Sequence, residues 1–153
     1  MANIFSSRTS PSRLYIPALR GLYDAIAPYT ETLIRIVAGL SLVPHGWPKL
    51  MNPAGAGVSL AKSGFEPGIV WAILLGTTEV FGGLLLALGL FTRVACVPIL
   101  IFLVTAVFFH SQFGFLWNNR GFEYPLFWAI VVFHFLMNGG GAYSVDAKMR
   151  REF

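Results

Sequence analysis

The sequence predicts an all-α membrane protein, a bundle of four transmembrane helices with both termini in the cytoplasm. Three observations carry that expectation. Of 153 residues, 56% are hydrophobic and only 12% charged, whereas soluble domains carry about 25% charged residues. Four long apolar runs follow one another along the chain. The lysines and arginines gather on one side of those runs. The mean hydropathy of +0.67 agrees. The net charge of +4 comes without a basic patch interleaved with aromatics, which sets nucleic-acid binding aside.

The first run extends from Thr32 to Trp47 and the second from Gly68 to Leu90. The third covers Val94 to Phe113 and the fourth Tyr124 to Asn138. A span needs about 20 residues, so the first and fourth must recruit flanking residues. The runs lack the alternation of barrel strands, and in lipid only helices or closed barrels satisfy every backbone group. Arg8, Arg13, Arg20, Arg93, Lys148, Arg150 and Arg151 fall on one side, and Lys49, Lys62 and Arg120 on the other. The positive-inside rule then places both termini in the cytoplasm.

Three regions follow: an extension over 1–28, a membrane domain over 29–146 and a basic tail over 147–153. The opening MANIFSSRTSPSR is polar and lacks the apolar core of a secretory signal. Arg13 to Pro28 is semi-apolar and broken by Pro17, so it is expected at the interface. Met51 to Pro67 reads as a Gly-rich outer loop with at most one turn of helix. Gln112 to Tyr124 is an aromatic loop suited to the headgroup belt.

Glu79 is the most informative residue. Its run holds only Thr77 and Thr78 as further polar side chains. A charge at the bilayer centre costs about 2.5–3.5 kcal/mol on insertion scales and usually marks function. Counting roughly 1.5 Å per residue, Glu79 and His134 lie near the midplane. Arg35 lies about 6 Å inside the cytoplasmic boundary on the same count. His45, Lys49 and His110 approach the outer boundary.

Facing is consistent with convergence. Arg35, Gly39, Leu42, His45, Gly46 and Lys49 share one stripe; Ala72, Gly76, Glu79 and Gly83 share another; Ile130, His134, Asn138 and Gly141 a third. Small residues beside a carboxylate let a neighbouring helix approach closely. From these placements an Arg35–Glu79 ion pair is expected, with His134 and Glu79 as a proton relay. Glu79, His134 and Arg35 are thus the candidate proton-handling residues, and His45, Lys49 and His110 the candidate cofactor-binding residues. The competing role is fixing helix register for the Arg35–Glu79 pair, a hydrogen bond to a neighbouring helix for His134, and contact with headgroups and water for His45 and His110. The histidines lack i,i+3 or i,i+4 spacing and differ in depth, so no metal or haem site is expected. Cys96 is the lone cysteine, with no partner for a disulfide.

The run LIRIVAGLSLVPHGWPKL (Leu33 to Leu50) resembles the first-helix signature of the DoxX family. GTTEVFGGLLLALGLFTR (Gly76 to Arg93) is similar to that family's second helix, and GGGAYSVD (Gly139 to Asp146) to its glycine-rich end. Arg35, His45, Gly46, Lys49, Glu79, Gly82 and Gly83 occupy the motif positions. The resemblance implies a four-helix protein of the bacterial inner membrane. It further implies a subunit of a redox complex, quinone-linked, with other membrane or redox subunits as partners besides the bilayer. A non-catalytic structural or assembly subunit is the alternative, and a small transporter a third reading. An aromatic wall of Phe81, Phe102, Phe109 and Trp128 would suit a quinone ring in the first reading.

Overall fold

The computed structural model describes residues 14–149. Among them every regular element is a helix. The principal ones are α1 (Arg20–Met51), α2 (Pro53–Lys62), α3 (Gly68–Leu88), α4 (Thr92–Ser111) and α5 (Glu123–Asn138). Arg8, Arg13, Arg150 and Arg151, on which the orientation also rests, lie outside the described residues, with the rest of 1–13 and of 150–153.

Among the described residues three helices are long and apolar enough to cross a membrane: α3, α4 and the stretch Pro17–Met51 that contains α1. The fourth expected span appears as α5, only 16 residues long, about 24 Å of rise. The N-terminal boundary also moves. Arg13 to Pro28 was expected to be broken and interfacial, but α1 runs unbroken from Arg20 through Pro28. The outer loop after Met51 holds a ten-residue helix rather than one turn. Asn52 starts it, its side chain accepting from Gly55 N at 3.0 Å, with Pro53 in the first turn.

α1 and α3 pack antiparallel with their backbones almost touching. A Cβ on Gly83 would stand 2.6 Å from the Gly39 carbonyl oxygen, so only glycine fits. Further out, a Cβ on Gly76 would meet Leu50 at 2.9 Å and the Lys49 Cβ at 3.2 Å. α1 therefore ends level with Gly76, about 12 Å deeper than the outer end of α3 at Gly68. α2 fills the difference: its Gly57 lies against Gly68 and Ile69. The outer half of this crossing is thus a broken helix, α1 followed by α2, with the break at Asn52.

α4 and α5 form the second antiparallel pair, and Gly82 of α3 faces Ile99 of α4. The core runs through Ala38, Leu42, Leu86, Cys96, Ile99, Leu103, Ala129, Val132 and Phe135. Around it, Leu33, Val37, Leu40, Leu74, Ile101, Phe108 and Phe133 are exposed. An apolar belt this extensive is what a lipid-facing surface requires.

Candidate functional site

The polar residues gather into two centres, one on each side of that core. The first, termed outer after the expected orientation as the other is termed inner, is built by α1 and α3. Glu79 sits in a π-helical turn, Thr78–Gly82, inserted in α3; such turns occur mostly as single bulges and often at functional sites. Its carboxylate accepts from Lys49 Nζ at 2.5 Å, and the same ammonium donates to the His45 carbonyl at 2.7 Å. The Glu79 side chain is 2% exposed and that of Lys49 25%, so the pair is open only on the lysine side. His45 stands exposed beside it. Gly46 makes the approach possible, since a Cβ there would lie 2.7 Å from the Glu79 Cβ.

The inner centre joins α1 to the chain that follows α5. Arg35, 2% exposed, donates to three carbonyls. Nη1 bonds Gly140 O, Nη2 bonds Tyr143 O at 3.0 Å, and Nε bonds Ala87 O at 3.4 Å. Gly89 ends α3 in the left-handed region at φ +67, and a Cβ there would stand 2.8 Å from the Arg35 Cζ. Leu90 N bonds Leu85 O at 2.9 Å and Gly89 N bonds Leu86 O at 3.0 Å, a Schellman ending.

Asp146 completes this centre from a distance. Its carboxylate accepts from Phe91 N at 2.7 Å, Thr92 N at 2.8 Å and Thr92 Oγ1 at 2.6 Å. It therefore caps the start of α4, where exposed N–H groups favour a negative charge. Its own N–H bonds Gly89 O at 2.8 Å. Beside these, His134 Nε2 meets Glu31 Oε1 at 3.0 Å, and Asn138 Nδ2 donates to the His134 carbonyl at 2.9 Å. Tyr29 and Tyr143 stack nearby, with centroids 4.9 Å apart.

Two expected pairings are therefore corrected. Arg35 does not reach Glu79: it turns to the carbonyls at the inner end, while Lys49 takes the carboxylate. His134 does not relay to Glu79 either, since its partner is Glu31. The expected outer group divides. His45 and Lys49 join Glu79, whereas His110 Nδ1 bonds the Arg120 carbonyl at 2.6 Å among Phe109 and Phe113. The expected aromatic wall also separates, because Phe81 is exposed while Phe109 packs against Phe65 with centroids 6.0 Å apart.

Glu31 and Asp146 were missed at the sequence level. Glu31 had a signal, lying one helical turn before Arg35 on the same face. No group of three or more potential metal ligands occurs among the described residues.

Fold and centres together define a small helical membrane protein whose buried charges tie one helix to another. A family model described as DoxX matches residues 31–112, more than half of the chain, and the chain belongs to the DoxX family. It is 29% identical over 125 residues to an uncharacterized protein of Haemophilus influenzae, covering 79% of this chain and 91% of that one. An uncharacterized membrane protein of Mycobacterium tuberculosis is 36% identical over 92 residues, 60% of this chain and 56% of that protein. No solved structure matches the chain. The family match includes Arg35, His45, Lys49 and Glu79 but stops before α5, so the GGGAYSVD segment lies outside it.

Proposed function

We propose that this chain is an integral subunit of a quinone-linked redox complex in the bacterial inner membrane. In this reading α5 is a fourth crossing and both termini face the cytoplasm. The observation that carries the proposal is the Lys49–Glu79 pair, buried in an apolar span yet open on the lysine side beside His45. Its donor set fits a quinone headgroup, with an ammonium and an imidazole to hold carbonyl oxygens and a carboxylate to hold a proton.

A quinone supplies two-electron, two-proton redox chemistry. Lys49 and His45 would orient it, and Glu79 would exchange protons at its carboxylate oxygen. Arg35 drops out of the chemistry, because carbonyls occupy it. His134 and His110 drop out as well, being engaged elsewhere. Electrons would come from a partner subunit.

One observation favours a purely structural or assembly subunit. No fully buried side-chain nitrogen or oxygen lacks a partner among the described residues, as register-fixing polar groups require. The transporter reading loses support, because the apolar core separates the two centres.

Extraction from native membranes in mild detergent, followed by mass spectrometry and quinone assay, separates these readings. The redox reading expects quinone and a redox protein with the wild type. It expects Glu79→Gln to keep the fold and the partner but lose quinone-linked electron transfer. Recovery of non-redox partners alone, without quinone, would sink it.

A further inference from the structure

Neither polar centre uses the rings of the two tyrosines at the inner end. Tyr29 of α1 and Tyr143 of the C-terminal segment stack with centroids 4.9 Å apart and planes 16° from parallel. That is face-to-face packing of two rings 114 positions apart in sequence (143 minus 29). Both are more than half exposed, at 59% and 51%, so neither ring is covered by the rest of the chain. The neighbouring Tyr29 hydroxyl pushes the Tyr143 phenol up from its ordinary value.

The surroundings hold the rings in register. Arg35 Nη2 grips the Tyr143 carbonyl at 3.0 Å. Two residues after Tyr29, Glu31 is tied to His134 at 3.0 Å. Asp146, three residues after Tyr143, is fixed by the start of α4. The one thiol of the chain, Cys96, is buried in the core and does not compete for oxidant at this surface.

We propose that Tyr29 and Tyr143 form an oxidative cross-linking site, at which a peroxide-charged haem peroxidase produces a dityrosine joining α1 to the C-terminal segment. Each phenol gives up one electron and its hydroxyl proton. The two phenoxyl radicals form a carbon–carbon bond between their ortho positions. The ortho hydrogens then move to the oxygens and restore two phenols. Two electrons and two protons leave in all, and they reduce one hydrogen peroxide to two waters.

The test treats the purified full-length chain in detergent micelles with hydrogen peroxide and a haem peroxidase. The monomer is then isolated and digested with trypsin. The wild-type monomer is expected to gain the blue emission of a biphenol. It should also yield a peptide pair, 21–35 joined to 121–148, lighter by two hydrogen atoms than the sum of its parts. Tyr29→Phe and Tyr143→Phe preserve the ring stack and remove the phenol, and each is expected to lose both signals.

Tyr23 and Tyr124 lie on the same two peptides, so the variants decide the location. Emission that persists in either variant overturns the proposal. So does emission confined to dimers, or none from a wild-type monomer.

Discussion

Arg35 carries its charge into a place where carbonyls, not a carboxylate, meet it. Those carbonyls are not arbitrary. Ala87 lies in the last turn of α3, and Gly140 just beyond the end of α5, where helix dipoles present their negative ends. A planar guanidinium reaches three acceptors at once; an ammonium on a flexible stem does not. Arg35→Lys is therefore expected to cost about 2–3 kcal/mol, the value of a charged hydrogen bond or two. Chemical unfolding in detergent measures it, and equal stability would refute the role assigned to the fork.

The Lys49–Glu79 pair makes a different prediction at the same scale. Breaking a buried pair strands one charge, at a cost of about 3–5 kcal/mol, whereas replacing both members by apolar groups is often neutral. Lys49→Met and Glu79→Met should each destabilise by that amount. The double variant should lose less than either single one. A double variant as unstable as the sum of the two would show that the residues act independently.

Between elements, the short turn from α3 to α4 is held from outside itself. Asp146 supplies the cap that Phe91, the residue before α4, lacks in its own side chain. Asp146→Ala is expected to cost about 1–2 kcal/mol, the usual value of a lost cap. It should also speed hydrogen exchange at the amides of Phe91 and Thr92, while α2 is unaffected. The contact of α1 with α3 makes the companion prediction. Gly83→Ala drives a methyl against the Gly39 carbonyl, and overpacking of this kind costs about 1–3 kcal/mol. A thermal-unfolding midpoint unchanged from wild type would show that the helices can part without penalty.

Over the whole molecule, the apolar runs made the helices legible, to within two residues at both ends of the second and third spans. The inward faces were legible too, since Gly39, Gly46, Gly76 and Gly83 all lie at the α1–α3 contact. The pairings were not. Depth was counted from the ends of apolar runs, which places Lys49 at the outer boundary and Glu79 at the midplane. The break at Asn52 undoes that count. Because α2 finishes the crossing, the end of α1 sinks to the level of Gly76, and Lys49 arrives beside Glu79. The Arg35 contacts were hidden for another reason: backbone carbonyls carry no sequence signal.

The core between the two centres has a consequence for the membrane itself. Leu42, Leu86, Ile99, Leu103, Val132 and Phe135 form, together with the Cys96 thiol, a packed layer that holds no carboxylate, imidazole, ammonium or guanidinium between Arg35 on one side and Glu79 on the other. A proton arriving at either end finds no stepping stone through it. The molecule should behave as an electrical insulator, housing charges on both sides of this layer while leaving the transmembrane voltage intact. Liposomes reconstituted with the protein are expected to hold an imposed pH gradient as long as empty ones do. A faster collapse would mean that water threads the layer.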